Sequence, residues 1–156
     1  MIKKINKGFA LIEVLIAVTI ISGSMLTVVS VANKSVTYAQ NSLKDYQATL
    51  AMEETIEAVK SIRAANWSNI SSLTDGQNYG LDFVNNNYTT IQNPTEDTLG
   101  FTKSFSVNNV MRDANNDIAV SGTLDSGTKT IIINISWVDG GKNKSKNIQF
   151  YIANIL

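Results

Sequence analysis

The chain has 156 residues, 44% of them hydrophobic, and 13 basic side chains balance 13 acidic ones. That length allows one ordinary domain and an appendage, and the hydrophobic content is too high for a disordered chain. Cysteine and histidine are both absent. Their absence excludes disulfides, thiolate zinc sites and the Ser-His and Cys-His pairs of nucleophilic catalysis. No glycine-rich phosphate loop is present either, so nothing in the sequence points to an enzyme or to a cofactor.

The hydrophobic residues are unevenly spread. Residues 9–32, FALIEVLIAVTIISGSMLTVVSVA, contain a single charge, Glu13. As a helix, 24 residues would extend ~36 Å, enough for the ~30 Å hydrocarbon core of a bilayer. Lys3, Lys4 and Lys7 precede the run, which places the N-terminus in the cytoplasm and exports the remainder of the chain. A cleavable secretory signal is the competing reading, with Ser30-Val31-Ala32 as its small-residue cut site. Its apolar core is normally shorter and uncharged, which favours an anchor. Without the first eight residues, 10 basic side chains face 13 acidic ones. A mildly acidic body of this kind carries no strong nucleic-acid signal.

Glu13 is the informative residue. A carboxylate within a bilayer costs on the order of 2.5–3.5 kcal/mol on insertion scales, so a partner is expected. No Lys, Arg or His lies between Lys7 and Lys34. A cut between Gly8 and Phe9 would create an α-amino group four residues before Glu13, one helical turn away. The amine could then pair with Glu13 of its own chain or, between staggered neighbours, of another.

The run Lys7-Gly8-Phe9-Ala10-Leu11-Ile12-Glu13 closely resembles the N-terminal signal of type IV pilins and pseudopilins. That signal has a basic leader, Gly, an aromatic residue, apolar positions and Glu at the fifth mature position. Ala10 departs from the Thr or Ser usual at the second mature position. The resemblance implies cleavage by a prepilin peptidase after Gly8, N-methylation of Phe9, and pairing of Glu13 with the Phe9 amine of an adjacent subunit. It further implies a cytoplasmic-membrane protein that interacts with lipid, an inner-membrane assembly platform and other pilin subunits in a pilus, competence pseudopilus or type II secretion pseudopilus. The alternative is a surface binding or adhesion module on an uncleaved single-pass anchor.

Residues 33–65 lack Pro and Gly and extend the helical pattern. Val36, Ala39, Leu43, Tyr46 and Leu50 form one apolar stripe, and Met52, Ile56, Val59 and Ile62 form a second, rotated from the first. The first suits a filament core and the second a sheet. One helix from about Phe9 to Ala65 is predicted, flexing near Ser22-Gly23-Ser24. The helix end, Ile62-Arg63-x-x-Asn66-Trp67, is similar to that of some minor pilins, which implies a minor component.

Residues 66–98 are rich in Asn, Ser, Thr, Asp and Gly, with Asn85-Asn86-Asn87 and the only proline, Pro94. They read as a variable polar loop with one short strand around Tyr79–Val84. Strands are expected at Phe101–Val110, Ile118–Ser121 and Thr130–Val138, where Ile131, Ile133, Ile135 and Trp137 alternate with other residues. After a turn at Asp139-Gly140-Gly141, Lys146–Ile155 carries Ile148, Phe150 and Ile152 on one face. The predicted class is α+β, a long N-terminal helix whose transmembrane first half leads into a part packed on a small antiparallel sheet. The segments are a leader (1–8), a membrane and filament-core helix (9–32), an amphipathic continuation (33–65), the polar loop (66–98) and the sheet (99–156).

Three weaker features complete the sequence. Asp113-Ala114-Asn115-Asn116-Asp117 begins like a calcium loop, but Ile118 and Leu124 stand where an EF-hand needs Gly and Glu, which favours a solvated turn. Lys142, Lys144 and Lys146 share one face of a strand and suit a soluble sheet edge that resists aggregation. Trp67 and Trp137 lack a basic surround and are expected to be core or interface residues rather than stacking platforms.

Overall fold

The computed structural model describes residues 7–155, with side chains described from residue 10. Two compact units divide the chain, Met1–Leu43 and Lys44–Leu156. Helix α1, Lys7–Ala65, contributes to both. Its hydrogen-bonded helix passes through Ser22-Gly23-Ser24 without interruption, so the expected flex point is not a break.

In the first unit the described residues are helical, and the apolar side chains are exposed, among them Leu11, Leu15, Ile20, Leu26 and Val31. This helix is long and apolar enough to cross a membrane. Several of its hydroxyls do not need water. Thr19 Oγ1 donates to the Ile16 carbonyl at 2.8 Å, Ser24 Oγ to Ile20 at 2.8 Å, and Thr27 Oγ1 to Ser24 at 2.6 Å. Each returns its proton to the preceding turn, which is how a polar side chain is satisfied where the surroundings offer no partner.

The second unit packs the last turns of α1 on a six-stranded sheet. A short helix α2 (Ser68–Ser71) follows, then strands β1 (Asn78–Val84), β2 (Asn87–Ile91), β3 (Phe101–Arg112), β4 (Ile118–Ala119), β5 (Thr123–Asp139) and β6 (Lys142–Ala153). The order is β2-β1-β3-β5-β6, with β4 on β3 and every pairing antiparallel. The class is α+β, as the sequence predicts.

Two tight hairpins set the registers. Gly140 and Gly141, at φ 57° and 75°, join β5 to β6, so that Asp139 pairs with Lys142. Asn85 and Asn86, at φ 51° and 64°, join β1 to β2 in the same way. Positive φ at both central residues matches the twist of the flanking strands, and Asn tolerates it better than most residues. Strand β2 departs from the sequence pattern, which predicts one strand between 66 and 98. The Asn-Asn pair between Phe83-Val84 and Tyr88 is the available signal, obscured by the surrounding polar composition. Strands β5 and β6 also begin earlier than expected, and β4 is shorter.

One sheet face is apolar. Cross-strand pairs Phe101–Trp137, Phe105–Ile133 and Val107–Ile131 place their side chains together, and Ile135 joins them. Phe105, Val107, Ile131, Ile133 and Ile135 are fully buried. The helix covers this face with small residues: Ala48, Ala51, Thr55 and Ala58, followed by Val59 and Ile62. The apolar spacing predicts Met52 and Ile56 within the packed stripe, but both are only partly buried beside it. Large apolar residues are the wrong guide here, because the sheet already supplies the bulk. Short side chains let the helix backbone approach it. Thr55 is accommodated by donating Oγ1 to the Ala51 carbonyl at 2.7 Å.

The opposite sheet face is polar, with Thr102, Ser104, Ser106, Thr130, Asn134 and Ser136 at alternate positions. Close packing on the helix side predicts that Ala51→Leu, which adds volume where none is free, destabilises the second unit by about 1–3 kcal/mol. Ala39→Leu, on an exposed helix face, should change stability by less than about 0.5 kcal/mol. Urea unfolding followed by near-ultraviolet circular dichroism of the full chain in detergent would measure both.

Candidate functional site

The strongest sequence signal lies at the start of α1. Lys3 and Lys4 fall outside the described residues, as do the side chains of Lys7 and Phe9, so the structure does not place the groups at the expected cut. Gly8 and Phe9 are in the first turn of the helix. Glu13 is helical and exposed, between the exposed side chains of Ile12 and Val14. Among the described residues no cationic group lies within ion-pair distance of it. The helix therefore presents a carboxylate on an otherwise apolar surface, with its backbone one turn beyond Phe9.

The other charges fall mainly in the second unit, where several are paired. Lys103 Nζ lies 2.6 Å from Glu54 Oε2 and 3.5 Å from Asp97 Oδ2, bridging the helix to the β2–β3 connection. Burial opposes ionisation of Asp97, but the amide N–H groups of Phe101 and Leu99 and the Lys103 ammonium outweigh it and hold its carboxyl below the usual value. Burial likewise opposes the charge on Lys103, yet Glu54 and Asp97 prevail and raise its value. Arg112 Nε lies 2.6 Å from Asp125 Oδ2, and this bond, with those from Thr128 and the Gly127 amide, lowers the Asp125 carboxyl.

The Asp113–Asp117 loop uses its own carboxylate. Asp113 Oδ1 accepts the amides of Asn115 and Asp117, and the Asn116 carbonyl accepts Arg112 Nη1. Asp125, the nearest further carboxylate in sequence, is committed to Arg112. Among the described residues no group of three carboxylates is placed to hold a metal ion. The loop is a self-capped turn.

The lysine row lies on the edge strand β6. Lys144 pairs with Asp139, and Lys146 Nζ reaches back to α1, donating to the Asp45 carbonyl at 2.9 Å and to Thr49 Oγ1 at 3.0 Å. At least these two are tied into the unit. Trp137 is 5% exposed and packs on Phe101 at 5.8 Å between ring centroids, and Trp67 lies partly buried against the core. Trp137 is a core residue. Lys129, which the sequence does not single out, is 9% exposed. Its position two residues before Ile131, on the same face of β5, is the signal available for it.

The comparisons with known proteins agree with the N-terminal reading. The family model described as the prokaryotic N-terminal methylation motif matches residues 3–22, so the chain carries the signature of type IV pilins. Neither the curated proteins nor the solved structures contain a match.

The depressed Asp97 carboxyl makes stability depend on pH. Its contribution is present above the unfolded-state value of ~3.9 and is lost as pH falls below it. Asp97→Asn should therefore be less stable than wild type at pH 6, with the gap closing as pH falls from the unfolded-state value through the depressed native one. A constant gap in urea midpoint across that range would show that the Asp97 charge contributes nothing.

Proposed function

We propose that this chain is a structural subunit of a filament of the type IV pilus or pseudopilus kind, cut after Gly8 and assembled through its N-terminal helix. The carrying observation is Glu13, the one charge in an exposed apolar helix that also bears the methylation motif. The residue types and their spacing then acquire a physical role. A leader of residues 1–8 keeps the N-terminus in the cytoplasm through its lysines, and the apolar helix holds the precursor in the membrane as a single pass, with the sheet-bearing unit exported.

Cleavage turns the amide nitrogen of Phe9 into a charged amine, which methylation leaves basic. In the membrane Glu13 carries the insertion cost of an unpaired carboxylate. As the subunit leaves the bilayer, Glu13 meets the Phe9 amine of a neighbour, and charge pairing in a poorly solvated core offsets that cost. The exposed apolar side chains around it exchange lipid for other helices. The processing enzyme is a prepilin peptidase, and the other partners are pilin subunits and an inner-membrane assembly platform. On this reading the chain is a substrate and building block, and the helix end at Ile62–Trp67 favours a minor component of a pilus, competence or type II secretion filament.

Processing and assembly separate the roles of the two residues. Gly8→Leu should block maturation, leaving a chain that starts at Met1 by intact mass spectrometry. Glu13→Ala should still be cut, with a methylated Phe9 terminus, but should be depleted from sheared filaments by roughly tenfold or more, the factor that ~1.4 kcal/mol of lost pairing corresponds to. Normal filament recovery of the Glu13→Ala variant would refute the pairing role. A wild-type chain retaining Met1 in its native host would instead indicate a surface module on a permanent anchor.

A further inference from the structure

Three partly buried cations in the second unit are met by carboxylates. Lys103 has Glu54 and Asp97, Arg112 has Asp125, and Lys144 has Asp139. Lys44, Arg63 and Lys146, also partly buried, donate instead to carbonyl or hydroxyl oxygens, and Lys129 goes further. It is 9% exposed, more buried than any of these, yet among the described residues no carboxylate lies within ion-pair distance. Its ammonium donates to the neutral Asn109 Oδ1 at 2.6 Å. An ammonium has three N–H donors, and burying it beside a single neutral acceptor costs free energy that a nearby negative charge would recover.

The surroundings show where that charge would sit. Lys129 lines an open groove of about 470 Å³ at the end of the sheet beside α2, large enough for a small organic molecule. Ser71 and Ser126 line the same groove and offer hydroxyl donors, while Trp67 and Leu124 supply an apolar wall. One cation among neutral donors suits a single negative charge, and the apolar wall suits a ligand with a hydrophobic body. Asp125, the acidic residue nearest in sequence, is taken by Arg112 and the Gly127 amide.

We propose that Lys129 is the charged floor of a binding site for a small carboxylate with an apolar or aromatic body. The carboxylate accepts the remaining ammonium protons and a serine hydroxyl, and the body lies against Trp67. The inference is independent of the filament reading, since it concerns a groove within the second unit alone.

Three probes at constant ionic strength would test it on the full-length chain in detergent micelles, with binding followed through the backbone amide shifts of Ser126, Gly127 and Lys129. Sodium benzoate should give saturable shifts. Benzamide, its neutral counterpart, and inorganic phosphate should bind at least about tenfold more weakly, as expected when a charge-assisted hydrogen bond is lost or mismatched. Lys129→Gln should lose the benzoate response by a similar factor, and Lys129→Arg should keep it. Equal responses to benzoate and benzamide, or a preference for phosphate, would overturn the proposal without recourse to any variant. So would saturable benzoate binding that survives in a folded Lys129→Gln protein.

Discussion

The close approach of a helix face made of alanines to a sheet face made of isoleucines and phenylalanines organises the second unit. Ala48, Ala51 and Ala58 leave room for Phe105, Ile131, Ile133 and Ile135, and the resulting contact removes those side chains entirely from water. The chain has no disulfide to close its loops, so this packed layer and the backbone ladders carry the unit's stability. An ion-pair cluster and a hydrogen bond then fasten the helix to the sheet. Lys103 ties Glu54 on the helix to Asp97, and Lys146 ties the edge strand to the helix backbone at Asp45. Both contacts are partly exposed and contribute modestly, so they orient the helix more than they stabilise it.

The first unit obeys a different rule. Its side chains are apolar around most of the helix, and the hydroxyls of Thr19, Ser24 and Thr27 are satisfied by its own backbone. Such a helix is compatible with lipid and with a surround of other apolar helices. Glu13 is the exception, and it is an exception that a partner from another chain can resolve. The stripe Val36, Leu43, Tyr46 and Leu50 is likewise exposed, each residue 45–62% accessible.

Polar residues in the second unit show how position decides meaning. The alternation in β5 leaves Thr130, Ile132, Asn134 and Ser136 on one face and Ile131, Ile133 and Ile135 on the other. The same alternation carries Lys129 to the buried side, where a charge is costly. The Asp113–Asp117 run, with the composition of a cation-binding loop, is instead a turn that spends its carboxylate on its own amides.

By itself the sequence determined the helix, its membrane-compatible half, the methylation motif at its start and the alternating core strand from Ile131 to Trp137. These features are local: each depends on spacing along one element, or on a single charge in an apolar run, and none needs knowledge of what lies opposite. Tertiary structure decided the rest. The helix face that packs is Ala48, Ala51, Thr55 and Ala58 because the sheet opposite is bulky, a fact that residues 48–58 do not contain. Likewise the pairing of Asn78 and Tyr79 with Ser106 and Phe105 joins the β1–β2 hairpin to β3 across a long polar connection. Lys129 gained its significance only when the fold buried it beside the neutral Asn109, since which groups meet is set by three-dimensional proximity rather than by order along the chain.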